Sequence, residues 1–452
     1  MHIKHSKAGA IAATLAAGSV LWSAGAAADS VSNQDLDQRI RILERKLEIE
    51  KEAAEAKAKA TATPSASEKG YGIKLGDYEF KFNGLVQFDG RWFSGDTVAQ
   101  TSDTFLLRRL RPTFQGSLGK LVSWRLTPEF AGGNSTSVGN ATIVDAYFDL
   151  NFDPAASLRV GKFKSPVGLE RLQSGGAITF VERGLPTELV SNRDIGIQLQ
   201  GAFADKTLSY AIGYFNGTRD GADANDNDND GRKEVAARIF YEPTPGIGFG
   251  IAGSYGNKRG GAETPRSYST PDRISRISYQ SGTVYDGTQT RISPQGYFYS
   301  GSFGALAEYV IADQELARNV AATDTTPAIA TEGSISNTAW QVVTSYVLTG
   351  EDASYKGVKP KKPFVIGEPG WGAFEVAARI GELEADDAAV EADKLFVKTA
   401  VQSIQNIGLG VNWYLNSNVK AVLNYNLTSY EAYSGTDPDD DKSIFARLQL
   451  SF

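Results

Sequence analysis

The stretch Thr104–Leu118, TFLLRRLRPTFQGSL, decides the fold. Leu110, Phe114 and Leu118 fall on one face of an alternating pattern, and Arg109, Arg111, Thr113, Gln115 and Ser117 on the other. A period of two marks a strand whose faces meet different surroundings. In a packed soluble core the guanidinium face would be stripped of water at high cost. In the wall of a transmembrane barrel the same strand puts its apolar face in lipid and its arginines in an aqueous lumen. Arg108 breaks the pattern, because strict alternation sends it outward. It must either snorkel to the aqueous rim or be turned inward by a bulge.

The alternation recurs along the chain. Phe80, Phe82, Val86, Phe88 and Trp92 share one face, while Lys81, Asn83, Gln87, Asp89 and Arg91 share the other. Segments of the same kind follow at Val122–Phe130, Thr142–Leu150, Ile195–Gln200, Leu208–Phe215, Glu234–Tyr241, Ala339–Leu348 and Ala373–Ile380. With weaker ones included they number about sixteen, each near the roughly ten residues a tilted strand needs to cross a bilayer. Connections alternate between tight turns, such as Asp153–Ala156 and Leu415–Asn418, and long loops, such as Ser165–Asn192 and Asn257–Gln289. A soluble β-sandwich array has no reason to sort its turns by length, whereas an outer-membrane barrel does. One connection, Thr349–Trp371, is long where a short one is due. These patterns predict an all-β transmembrane barrel of about 16 antiparallel strands over residues 71–452.

The N-terminus supplies the address. Lys4 and Lys7 precede an apolar run from Ala8 to Ala24, and Ala26, Ala27 and Ala28 follow it. This is the layout of a cleaved signal peptide over residues 1–28, and it directs the chain through the inner membrane. Beyond it there is no apolar run long enough for a helical span. The sequence has no cysteine, and its two histidines, His2 and His5, both lie in that leader. Disulfides, histidine triads and histidine metal sites are therefore excluded, and the reading is a non-enzyme without metal or cofactor. The net charge of −7 argues against nucleic-acid binding. Over residues 29–60 the sequence is charged and Ala-rich. Leu36, Ile40, Leu43 and Leu47 there keep a/d spacing, with Asn33 on a preceding a position, which predicts a short periplasmic helix or coiled coil. TATPSASEKG, residues 61–70, reads as a linker.

The barrel phasing also turns Lys81, Arg91, Arg125, Arg238, Arg379 and Arg447 inward, together with Asp89, Glu129, Asp145, Asp149 and Glu375. The wall is thus mixed in charge. In the loop after the fifth strand, RVGKFKSPVGLERLQ, Lys162, Lys164 and Arg171 flank Ser165 and Pro166, and Arg183 follows. A narrow ring of such groups lowers the barrier to anions and raises it for cations. Arginine meets two oxygens of an oxyanion with its planar fork, whereas lysine acts as a point charge. In the acidic fourth long loop Asp226, Asp228, Asp230 and Gly231 match the opening of a calcium-binding loop. The twelfth position is Ala237 where a bidentate Glu is required, so a solvated loop is the better reading.

RRLRPTFQGSLG, DAYFDL, VGKFKSPVGLERL, SNRDIGIQLQG, LTGEDASYKGVKPKKPF, AFEVAARI, GLGVNWYLNSNVKAVLNY and the terminal Phe452 together resemble the phosphate-selective porin O and P family. The resemblance implies a homotrimer of sixteen-stranded barrels in the lipid of the bacterial outer membrane. It implies a third long loop folded into each lumen, an arginine ladder, and passage of inorganic phosphate or polyphosphate. It assigns the constriction to Arg108, Arg109 and Arg111, with Asp145 as its acid and Lys162, Lys164 and Arg171 as the loop cations. Arg125 and Arg183 are expected beside them. Lys356, Lys359, Lys361 and Lys362, in the long turn that breaks the length rule, are expected at the periplasmic exit. The alternative is a general or differently selective diffusion porin, as the mixed wall would suit.

Overall fold

In a computed structural model of the protein the described residues are 33–68, 70–94, 102–131, 141–223, 231–258, 263–321, 329–390 and 396–452. The expected leader and Asp226, Asp228 and Asp230 lie outside them. The chain divides into two units, residues 1–58 and 59–452.

Helix α1 spans Asn33–Ala60. Its interior has no Gly or Pro and is rich in Ala, Glu, Lys, Arg and Leu, the strongest helix formers. Asp37–Arg41 and Arg45–Glu48 ion pairs, each 2.9 Å, support it at the spacings that bring helix side chains together. Leu36, Ile40, Leu43 and Leu47 form an exposed stripe.

The second unit opens with a hairpin, β1 (Thr63–Ser67) and β2 (Gly70–Leu75), so part of the expected linker is a strand. The wall follows with β3 (Tyr78–Ser94), β4 (Thr104–Leu118), β5 (Val122–Glu129), β6 (Thr142–Asp153), β7 (Ala156–Lys164) and β8 (Arg193–Phe203). It continues through β9 (Leu208–Phe215), β10 (Glu234–Thr244) and β11 (Ile247–Lys258). A small ribbon of β12 (Tyr268–Ser269) and β13 (Ser275–Ile277) sits in the next loop. The remaining wall strands are β14 (Thr283–Ser300), β15 (Phe303–Val320), β16 (Ile329–Val347), β17 (Ala373–Glu384), β18 (Val401–Tyr414), β19 (Val419–Ala432) and β20 (Asp441–Ser451). Each wall strand is antiparallel to the next, and β20 pairs with β3 from Lys442↔Ser94 to Ser451↔Leu85. The result is a closed barrel of 16 strands, as the alternation predicts. Closure removes the open edges of the wall, which a bilayer demands. Phe452 completes the seam: its backbone pairs with Gly84 at 2.8 and 3.1 Å, and its ring lies 5.6 Å from that of Phe82.

The outer face is apolar, with Phe105, Leu118, Ile239, Phe249, Leu409 and Leu448 among its exposed side chains. The inner face departs from a uniformly wet lining. Phe163, Leu185, Leu189, Val190, Val310, Leu316, Phe396 and Ile404 form a buried cluster inside the barrel, where residues 165–192, 385–390 and 396–397 fold against the inner wall. Apolar contact thus closes part of the lumen, and polar groups are concentrated in the remainder. The long turn 348–372 also folds inward. Tyr355 stacks on Tyr297 with ring centroids 5.0 Å apart, and its hydroxyl donates to the Leu169 carbonyl at 2.7 Å. The exception to the turn-length rule is therefore a support under the third loop.

Candidate functional site

The third loop, residues 165–192, is held across the lumen by wall side chains. Its α-helical turn, Leu169–Leu172, is clamped at both ends. The Glu308 carboxylate accepts from the Leu169 amide at 2.6 Å, and the Lys164 ammonium donates to the carbonyls of Arg171, Leu172 and Gln173 at 2.6, 3.2 and 2.9 Å. A carboxylate at the start and a cation at the end satisfy groups that a short helix leaves open. Further along, Lys420 donates to the Ile178 carbonyl at 2.9 Å and Arg447 to that of Val181 at 2.7 Å. Arg379 donates to the Glu182 carbonyl at 2.9 Å, and the Val181 amide donates to Asn424 at 2.6 Å.

Arg108 is turned inward by a bulge. On β3 and β4, Gln87 faces Arg109 and Phe88 faces Leu107, which leaves Arg108 as the extra residue. A bulge re-aims a side chain in this way. Arg108 then grips Glu182 of the third loop with two hydrogen bonds, 2.5 and 3.0 Å. Arg91 donates to the same carboxylate at 2.6 Å, and both Arg91 and Arg447 hold Asp89. Burial alone would raise the Glu182 carboxyl, but the guanidinium groups of Arg108 and Arg91 hold it well below the usual carboxylate range. Arg109 is buried under Gly175, with the neutral Gln87 as its hydrogen-bond partner at 2.6 Å. Arg111 pairs with Glu129 at 2.5 Å.

Below the third loop a cavity of about 840 Å³ runs along β3–β10 to the short-turn rim. Its charged lining comprises Arg111, Arg125, Arg159, Lys164, Arg193 and Arg238 against Asp145 and Asp149. Arg193 pairs with Asp145 at 2.8 Å and Arg159 with Asp149 at 2.7 Å. Arg125 and Arg238 have neutral hydrogen-bond partners, Thr127 and Gln295. Above the loop a small cavity of about 40 Å³ is bordered by Arg108, Arg171, Arg183 and Arg273 with Glu182 and Glu188. Burial pushes the Arg171 guanidinium down to about 9 and that of Arg183 to about 10, so both stay charged at neutral pH. Cations therefore flank the third loop on both sides.

Of the residues expected at the constriction, Arg108, Arg171 and Arg183 border the upper cavity, while Arg111, Arg125, Asp145 and Lys164 line the lower one. Arg109 is inward but covered. Lys162 is elsewhere: register pairs it with Ala146 and Ile195, and it shares the outward parity of Leu158 and Val160. Lys164 has the same parity but sits where the strand ends, free to turn in. Lys356, Lys359, Lys361 and Lys362 lie in the long turn without lining the cavity, and Lys359 pairs with Glu68 at 2.6 Å. Sequence reasoning missed Arg159, Arg193 and Glu182. The alternation of Arg159 with Gly161 and Phe163 carried a signal for the first. Nothing local marked Glu182, whose partners lie 74 and 91 residues away.

Comparison with known proteins agrees with this geometry. The family described as phosphate-selective porin O and P matches residues 80–452. Porin O of Pseudomonas aeruginosa is 26% identical over 421 residues, covering 83% of this chain and 89% of that protein. Among solved structures, OmpT of Vibrio cholerae aligns with a TM-score of 0.51 at 11% identity, covering 84% of this chain and 99% of that one. The outer membrane channel DcaP of Acinetobacter baumannii aligns with a TM-score of 0.51 at 14% identity, with the same coverage. The protein is a non-enzymatic channel of the bacterial outer membrane. Its chain belongs to the phosphate-selective porin O and P family.

Proposed function

We propose that the channel passes small oxyanions, inorganic phosphate and short polyphosphates foremost, through the cationic gap beside the third loop. The observation that carries this reading is the lower cavity, where six basic side chains face two acids. An anion entering it exchanges water for guanidinium forks without meeting an unpaired carboxylate, because Asp145 and Asp149 are already engaged by Arg193 and Arg159. Several such sites in series let the ion hop, provided none holds it too tightly. Arg108, Arg111, Arg171 and Arg183 form the constriction, with Arg109 as a covered charge behind it. Lys356 and Lys362 serve the exit as long-range attraction rather than as lining. The exposed stripe of α1 supports a homotrimer, since three copies would cover Leu36, Ile40, Leu43 and Leu47.

The pairing of Arg108 with Glu182 and of Arg111 with Glu129 favours a second reading, a general porin whose wall charges cancel. Planar-bilayer recording separates the two. Phosphate and pyrophosphate, added in turn to a chloride bath, are expected to reduce the chloride current at millimolar concentration or below. Undiminished chloride current with both anions would establish the general porin.

A further inference from the structure

We infer that Glu182 is a built-in counter-anion, whose carboxylate occupies the guanidinium cluster at the constriction and sets how tightly that cluster holds a permeating oxyanion. The inference rests on the reading of the lumen as an anion path. A carboxylate presents to an arginine fork the same two-oxygen edge that a phosphate does. Arg108 meets both oxygens of Glu182, and Arg91 adds a third hydrogen bond at 2.6 Å. Around them, Arg91 Nε, Arg171 Nε and Arg273 Nε are buried without a hydrogen-bond partner, so the cluster has donors beyond those Glu182 uses.

The backbone of Glu182 is fixed independently of its side chain. Val181 is held through both its amide and its carbonyl, and the Glu182 carbonyl accepts from Arg379. The carboxylate can therefore leave the cluster by side-chain rotation, with the third loop in place. The small cavity it borders supplies the space: its 40 Å³ exceeds the roughly 10–15 Å³ that one water requires. Without Glu182, Asp89 would be the carboxylate left in hydrogen-bond contact with Arg91 and Arg447, Arg108 would lose its carboxylate partner, and an arriving phosphate would be held tightly. With it, the anion competes with a tethered carboxylate, and release is fast.

The test compares the full-length wild type, Glu182→Gln and Glu182→Asp in planar bilayers. Two quantities are read: the reversal potential in a potassium chloride gradient, and the phosphate concentration that halves chloride current. A neighbouring like charge changes ionic affinities by about tenfold or more. Glu182→Gln is expected to lower the half-inhibiting phosphate concentration by about that factor and to strengthen anion preference. Glu182→Asp keeps the charge, and its reversal potential is expected at the wild-type value. Unchanged values in Glu182→Gln overturn the inference. So does a larger chloride conductance with weaker phosphate inhibition, which would make Glu182 a loop tether only. If Glu182→Gln fails to assemble, a phosphate affinity in Glu182→Asp raised as far as tenfold also overturns it. Should phosphate not inhibit even the wild type, the proposed substrate is wrong, while the reversal potential still tests the counter-anion.

Discussion

Replacing Arg125 and Arg238 together by glutamine removes the two cavity guanidiniums whose hydrogen-bond partners are neutral, and it leaves no carboxylate stranded. The lower cavity has six cations, of which Asp145, Asp149 and Glu129 compensate three. One unit charge confined to 840 Å³ amounts to about 2 M, so the three remaining charges act as about 6 M fixed positive charge. Electroneutrality against 1 M potassium chloride then gives an anion-to-cation ratio of about 40 to 1. The double variant keeps one uncompensated charge, on Lys164, and its ratio falls to about 6 to 1. Across a tenfold salt gradient the reversal potential is expected to drop by about 20 mV from a wild-type value close to the ~59 mV limit. Planar-bilayer recording on the two proteins measures this directly. A reversal potential that moves by less than a few millivolts would refute the assignment of the cavity as the conducting path.

Three further outcomes are expected. Burial pushes the Asp272 carboxyl up to about 6, where it bonds Ser443 and Asn426 and faces Arg379, Asp441 and Arg91. The group is charged above that value and neutral below it, so lowering the pH from 7.5 to 5 removes a negative charge and strengthens anion preference; Asp272→Asn should make that step smaller in reversal-potential titrations. Glu308→Ala removes the acceptor of the Leu169 amide and leaves a buried donor unsatisfied at a cost of about 1–3 kcal/mol. Single-channel traces should then show larger, noisier conductance as the third loop loosens. Gly116→Val is expected to block assembly, because a Cβ there would lie 1.9 Å from the Glu79 carbonyl. Gly119→Ala, with φ +71° and open space, should cost only about 1 kcal/mol and assemble normally by heat-modifiable gel mobility.

The wall was legible because its cause is local. A residue's parity along a strand fixes the face it takes, so Arg111, Thr113, Arg125 and Arg238 could be placed inward from the sequence alone. Lys162 shows where a family pattern overrode that rule: its parity was outward, and the register agrees with parity. The interior was less legible because its contacts join distant segments. Leu169 meets Glu308, Glu182 meets Arg91 and Arg108, and Tyr355 meets Tyr297, none of them linked by any period. The apolar cluster of Val310, Leu316 and Phe396 inside the barrel belongs to the same class. Arg108 lies between the two cases. Its outward parity was plain, the need for a bulge or a snorkel followed, and only the pairing of Gln87 with Arg109 and Phe88 with Leu107 decided for the bulge.

The most direct test of the anion path is a crystal structure of the protein soaked in tungstate, a tetrahedral oxyanion located by its anomalous signal. Tungstate is expected in the lower cavity beside Arg125 or Arg238, whose hydrogen-bond partners are neutral, and above the loop near Arg108 and Arg273. Anomalous density confined to the outer surface, with the lumen empty at high tungstate concentration, would contradict it.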